Sequence, residues 1–271
     1  MPKRSTPRGR GRLPPGRPFR LVLGRSLSPV VITCEHASRD LPDGLRTGGA
    51  AEKRILASHW GWDIGAWALA TCVARSLGAS AAGGRWSRLV IDLNRPVGDP
   101  TLIRREAEGV PLSWNARLTA AETERRMLRY HVPYHAAIDS LVIGRLARGV
   151  RPLLLAMHTF TGELNGERRP FDAGVLFDRS VRHARGLAAG LRSAGLSVRY
   201  NEPYSGLAGM MYSIHRHGSH HGLPCLELEV NQERLASRRA VDRFARIIAS
   251  ALRAVLRTRR LRASGSRSPR S

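Results

Sequence analysis

The run Pro152-Leu153-Leu154-Leu155-Ala156-Met157-His158-Thr159 decides how the whole chain is read. A short apolar stretch breaks off into a polar pair, the form of a buried strand whose carboxyl end opens into a loop. The form recurs on both sides of it. Val30-Val31-Ile32-Thr33-Cys34 ends in Glu35-His36-Ala37-Ser38, and Arg88-Leu89-Val90-Ile91-Asp92-Leu93 ends in Asn94-Arg95-Pro96. Gly174-Val175-Leu176-Phe177, Leu196-Ser197-Val198 and Leu223 to Val230 continue the series. Helical patterns lie between these runs. Asp63 opens an amphipathic stretch, Ile64 to Leu77, that Gly78 stops. Thr119-Ala120-Ala121-Glu122 is a capping box leading a long helix that passes a kink at Pro133 and reaches about Ala147. Further helices are expected near Val181 to Ala194 and over 239 to 256. Such alternation predicts an α/β fold, a single three-layer domain around a central mixed, mostly parallel sheet.

The chain has 271 residues, 42% apolar and 24% charged, enough for a sizeable core. Its formal net charge is +24, which first suggests a nucleic-acid binder. Residues 1–26 carry eight basic residues and no acid, and residues 253–271 carry seven and no acid, so the ends hold most of the excess. Both ends are rich in Arg with Pro, Gly or Ser, and read as disordered basic tails, 1–26 and 257–271, around a catalytic domain over 27–256. Nucleic acid is therefore not the expected partner. No run approaches the roughly 20 apolar residues of a membrane helix, and the first 26 residues lack the apolar core of a signal peptide, so a cytoplasmic address is expected. Cys34, Cys72 and Cys225 are odd in number with no C-x-x-C, and read as reduced thiols.

Ligands of open α/β sheets bind at the carboxyl ends of strands, where His36, Asn94, Arg95, His158 and Glu229 all fall. Two histidines plus a carboxylate make the three-ligand set of a catalytic zinc site. Zinc lowers the pKa of its water toward roughly 7, and a nearby carboxylate can take the proton. In Leu226-Glu227-Leu228-Glu229-Val230 the period of two puts both glutamates on one face, an arrangement suited to lining a site.

Seven strings carry a resemblance: Thr33-Cys34-Glu35-His36-Ala37-Ser38, Trp60-Gly61-Trp62-Asp63-Ile64-Gly65-Ala66, Ser87 to Pro96, Tyr130-His131-Val132-Pro133-Tyr134-His135, His158-Thr159-Phe160, Asn201-Glu202-Pro203-Tyr204-Ser205-Gly206 and Leu228-Glu229. In order and spacing, over about residues 28 to 250, the chain resembles the N-formylglutamate amidohydrolase family. The resemblance implies a fold like that of zinc carboxypeptidases (phosphorylase/hydrolase-like) and of aspartoacylase. It also implies hydrolysis of the amide of a small acidic N-acyl amino acid, N-formyl-L-glutamate, by an enzyme holding Zn2+ or another divalent metal. Carried over to this sequence, it implies His36, Asp63 and His158 as metal ligands and Glu229 as general base. Asn94-Arg95 and Arg169 would then contact the substrate. Arg39 departs from the family pattern, where a small polar residue is expected after His-Ala-Ser, and bears on the substrate more than on the reaction class.

Each assignment keeps a plain alternative. His36 and His158 could be loop histidines bonded to backbone, and Asp63 an ordinary helix N-cap. Glu35 competes with Asp63 as the carboxylate ligand, although strand alternation points it away from His36. Glu227 competes with Glu229 as base, and Arg95 and Arg169 could be ion-pair residues. His131 and His135 have the i, i+4 spacing of a zinc pair but lack the zincin glutamate, Val132 standing in its place. His215, His217, His220 and His221 crowd seven residues and could catch a metal. A peptide-cleaving carboxypeptidase is the nearest rival enzyme; a protein binding nucleic acid through its tails is the rival of another class.

Overall fold

The computed structural model describes residues 17–24 and 27–265, with side chains described as far as Arg257. Along the chain run β1 (Phe19–Val22), β2 (Val30–Cys34), α1 (Ala50–Ala57), α2 (Ala66–Leu77), β3 (Ser80–Gly84) and a hairpin of β4 (Glu106–Ala107) and β5 (Val110–Pro111). Then come α3 (Ala120–Arg126), α4 (Val132–Leu146), β6 (Leu153–Phe160) and a second hairpin of β7 (Glu163–Leu164) and β8 (Glu167–Arg168). β9 (Ala173–Leu176), α5 (Val181–Ser193), β10 (Val198–Tyr200), α6 (Tyr212–His221), β11 (Cys225–Asn231) and α7 (Arg238–Gly265) complete it.

Seven strands form one sheet in the order β1-β3-β2-β6-β11-β9-β10. β3, β2, β6 and β11 run parallel, β9 runs antiparallel to β11, and β1 pairs antiparallel with β3. Alternate side chains divide the core between the two faces. Ile32, Leu155, Met157 and Leu228 pack under α2, α5 and α7. Val31, Leu154 and Ala156 pack under α4 and α6. The expected three layers and mixed, mostly parallel sheet are what the chain forms.

Four local expectations are corrected. Arg88 to Leu93 is not a strand. It is a chain of turns, with Val90 N–H donating to the Ser87 carbonyl and Asp92 N–H to that of Leu102. Leu89 and Val90 are fully buried all the same, and buried carbonyls must find donors. Here side chains supply them: Asn115 Nδ2 and Trp114 Nε1 donate to the Leu89 carbonyl, and Arg126 Nη1 to that of Val90. The strand that does follow α2 is Ser80-Ala81-Ala82-Gly83-Gly84, whose residues carry almost no β propensity. Small residues are required there, because a Cβ on Gly84 would lie 2.1 Å from the Glu35 carbonyl oxygen and one on Gly83 would meet the Trp67 ring.

The third correction concerns the termini. β1 lies inside residues 1–26, read as tail, and Arg20 from it donates to Ser38 and pairs with Asp40 beside the site. At the other end α7 runs on through Gly265, well into residues 257–271; residues 1–16 and 266–271 lie outside the described chain. The fourth concerns Pro133. Over Met127–His131 the helix widens into a π-helical turn that leads directly into α4, and this wider turn accommodates the missing N–H of Pro133 within an unbroken helical run. The capping box is half formed: Glu122 N–H donates to Thr119 Oγ1, but the Glu122 carboxylate turns to Arg125 and Arg126.

Candidate active site

The loops after β2 and β6 and the entry to α2 converge on a cavity of about 320 Å³. His36 follows β2, His158 lies within β6, and Asp63 stands ahead of α2, its backbone N–H tied to the His36 carbonyl at 3.0 Å. All three are buried. His158 Nδ1 lies 2.7 Å from Asp63 Oδ2, and His36 Nδ1 lies 3.5 Å from the same oxygen. Among the described residues His36 Nδ1 has no hydrogen-bond partner although it is buried. Each imidazole is held by a carboxylate at its other nitrogen, His36 Nε2 by Asp92 Oδ1 at 2.7 Å and His158 Nε2 by Glu35 Oε2 at 2.9 Å.

This is the carboxylate–histidine arrangement that fixes a ligand's tautomer and points its free nitrogen at a metal. The inward atoms of His36, Asp63 and His158 lie within 4.8 Å of one another, so the three could hold one ion; His158, Glu227 and Glu229 form an overlapping group. Asp63 is not a helix cap. Gly65 is the N-cap of α2, and the Asp63 carboxylate faces His158, the Thr159 N–H and Arg88.

Glu35 does point away from His36, as alternation requires, but the face it joins is that of His158. There Tyr134 Oη and Ser213 Oγ both donate to its Oε1. Burial acts to raise the pKa of Glu35, and the His158 bond and charge, with the Ser213 bond, overcome it and bring it down to about 2. Burial likewise opposes ionisation of Asp63, but the Arg88 and His36 charges hold its pKa well below the usual carboxylate range. His158 is driven the other way: burial disfavours its charge, yet Glu227 and the bonds to Asp63 and Glu35 hold its pKa well above the ordinary histidine value. Glu227 and Glu229 both line the cavity, and one oxygen of each is buried without a hydrogen-bond partner among the described residues, that of Glu227 lying 3.7 Å from His158 Nε2. Burial is the main force pushing both pKa values up. Two acids poised to take protons therefore face the same space.

Asn94 and Arg95 line the cavity as well. Asn94 Oδ1 accepts from the Ser213 N–H at 2.8 Å, and the Arg95 carbonyl is tied to His131 Nε2 at 3.0 Å. Arg169 is not among the lining residues, but its guanidinium sits 5.6 Å over the ring of Tyr204, which is, and its charge acts on Glu229. The i, i+4 histidines are not a metal pair here: His131 holds the Arg95 carbonyl, and His135 Nδ1 lies 2.9 Å from His217 Nε2. Neither lines the cavity.

Sequence reasoning missed Arg88, Arg104, Tyr204 and Asp92 as lining residues. Arg88 forms an ion pair with Asp63, and Arg104 sits 5.5 Å over the Trp60 ring. The signal for Arg88 and Asp92 was a cation and an acid inside an apolar run, which an ordinary buried strand does not tolerate.

A family model described as N-formylglutamate amidohydrolase matches residues 28–236. An N-formylglutamate deformylase of Pseudomonas putida is 33% identical over 120 residues, a match spanning 41% of this chain and 43% of that enzyme, less than half its length. A crystal structure of a gene product of Agrobacterium tumefaciens is 28% identical, with a TM-score of 0.83 over 90% of this chain and 96% of that one. The fold is shared with the N-formylglutamate amidohydrolase of Ralstonia eutropha, 22% identical, with a TM-score of 0.69 over 90% of this chain and 98% of that one.

Proposed function

Because the chain belongs to the N-formylglutamate amidohydrolase family, we propose that it hydrolyses the amide of N-formyl-L-glutamate to formate and glutamate in this cavity, with a divalent metal, zinc, held by His36, Asp63 and His158. The observation that carries the reading is the buried, unpartnered His36 Nδ1 directed at the oxygen that already takes His158. Two imidazoles, neutral once they ligate, and a carboxylate suit zinc. When bound, the ion polarises the scissile carbonyl and acidifies water.

The chain's own residues do the rest. Glu229 takes a proton from the attacking water and returns it to the departing amide nitrogen, a task suited to a carboxylate raised by burial toward neutrality. Arg88, fixed by its pair with Asp63, faces the oxygen of the formyl group and stabilises the negative charge that grows there. Asn94 and Arg95 grip one carboxylate of the substrate; Arg169, steadied on Tyr204, meets the other. Charge-assisted pairs of this kind favour a dicarboxylate over a neutral amide. No helix of the described residues is long and apolar enough to cross a membrane.

The direct test is formate release from N-formyl-L-glutamate by protein purified without a histidine tag, before and after chelation, beside metal analysis. Activity lost on chelation and restored by zinc is expected. Full turnover by metal-free protein would overturn the metal assignment, and turnover of a glutamyl dipeptide without formate release from N-formylglutamate would favour the peptidase.

A further inference from the structure

A second group of metal-ligating side chains lies between α4 and α6, in none of the residues that line the active cavity. His217 and His221 are one helical turn apart on α6, so their side chains share a face. That face meets Asp139 of α4. His217 Nδ1 lies 2.7 Å and His221 Nε2 2.9 Å from the same atom, Asp139 Oδ1, and all three ligand atoms lie within 4.8 Å of one another.

The group is oriented as a metal site is. His217 is fully buried, and its Nε2 is held 2.9 Å from His135 Nδ1. His135 Nε2 beyond it is buried with no partner among the described residues. Only Nδ1 of His217 is therefore free to change partner, and it points at Asp139. A route from solvent exists, because the Asp139 side chain is 26% exposed and that of His221 9%. Among the described residues the one arginine or lysine paired with Asp139 is Arg216, whose Nη1 lies 3.8 Å from the other carboxylate oxygen, Oδ2, at the edge of hydrogen-bonding reach.

We propose that Asp139, His217 and His221 form a second divalent-metal site, separate from the active cavity and taking an ion that favours imidazole, zinc or cobalt(II), between α4 and α6. Two imidazoles and a carboxylate meet the ligand preferences of such ions and leave a position for water on the open side. Coordination needs the His217 tautomer bare at Nδ1 and protonated at Nε2, which then donates to His135 Nδ1. The His135 proton moves to its own Nε2, so none is released from that pair.

The site's place in the fold gives it a use. Ser213, near the other end of the same helix, donates its N–H to Asn94 Oδ1 and its hydroxyl to Glu35 Oε1. An ion clamping the His217–His221 end to α4 holds in place the helix that steadies both groups.

The experiment is equilibrium dialysis of the full-length protein against cobalt(II), with the visible spectrum recorded and thermal unfolding followed by circular dichroism. The wild type should bind one ion per chain more than His221→Gln, and Asp139→Asn should behave as His221→Gln does. The difference carries the inference, whatever the cavity itself binds, so failure of the active-site reading leaves this one standing. Cobalt should also raise the melting temperature of the wild type by several degrees more than that of either variant. Equal stoichiometry in wild type and both variants would overturn the proposal. So would loss of the extra ion in His215→Gln, since His215 lies on the other side of the helix, paired with Asp178, and its loss would mark an adventitious surface site.

Discussion

Arg125 and Arg126 are neighbours in sequence and opposites in environment, and that contrast supports a quantitative prediction. The Arg125 side chain is 67% exposed and pairs, among the described residues, with Glu122 alone, whereas that of Arg126 is 4% exposed. Arg126 donates to the Val90 carbonyl at 3.0 Å, the Trp114 carbonyl at 3.0 Å and Asn115 Oδ1 at 2.6 Å. Arg126→Met keeps an unbranched side chain of similar length and removes every donor. These three acceptors are then stranded, besides the part-exposed Glu122 carboxylate that Arg126 Nε also holds, at about 1 to 3 kcal/mol for each one buried. Some relaxation and water entry bring the expected loss to about 3 to 5 kcal/mol, a large part of the roughly 5 to 15 kcal/mol that holds a domain folded. Arg125→Met should change stability by no more than about 0.5 kcal/mol. Urea unfolding followed by circular dichroism measures both. Since the Val90 carbonyl belongs to the buried loop that presents Arg88, Asp92, Asn94 and Arg95, formate release by Arg126→Met should also fall well below its melting temperature. A loss under about 1 kcal/mol, or equal effects of the two substitutions, would refute the claim that side-chain donors hold this loop.

Glu229→Gln preserves shape without basicity, so kcat should fall by about 100-fold or more with metal content unchanged; if it stays active while Glu227→Gln does not, the base is Glu227. Arg95→Ala should raise KM far more than it lowers kcat, costing roughly 2 to 4 kcal/mol in kcat/KM, and the loss should shrink for an N-formyl compound lacking the carboxylate Arg95 grips. Glu35 has a folded pKa near 2 against an ordinary 4.5, so its contribution to stability is present above about pH 4.5 and is lost as pH falls toward 2. Melting temperatures of chelator-treated Glu35→Gln should therefore fall less steeply than the wild type's across that window. Deleting residues 1–26 strips β1 and the Arg20 bonds to Ser38 and Asp40, and should lower the melting temperature by several degrees; an unchanged melt would show the edge strand to be dispensable.

Most of the sheet was legible because β2, β6 and β9 are apolar runs that stop at polar residues and β11 alternates with period two. β3 was not, since Ser-Ala-Ala-Gly-Gly owes its strand to close backbone approach and not to side-chain preference. The run from Arg88 to Leu93 misled for the converse reason. Burial selects the same apolar residues whether a sheet or a set of side-chain donors satisfies the backbone. In the site, the histidines, Asp63 and Glu229 could be collected from strand ends and motifs. The parts played by Glu35, Asp92 and Arg88 could not, because each is defined by which atom it holds: Glu35 and Asp92 differ only in the imidazole they orient.

The order of strands across the sheet differs from their order of synthesis, and this bears on how the molecule is made. Among the described residues β11 is the last strand in chain order, yet it sits between β6 and β9. Until it emerges, the sheet is two fragments, β1-β3-β2-β6 and β9-β10, each with an unpaired edge. Exposed edges of this kind invite association with other chains. Insertion of β11 joins the fragments, covers both inner edges and in the same step delivers Glu227 and Glu229 beside His158, so the acid pair arrives only as those edges are covered.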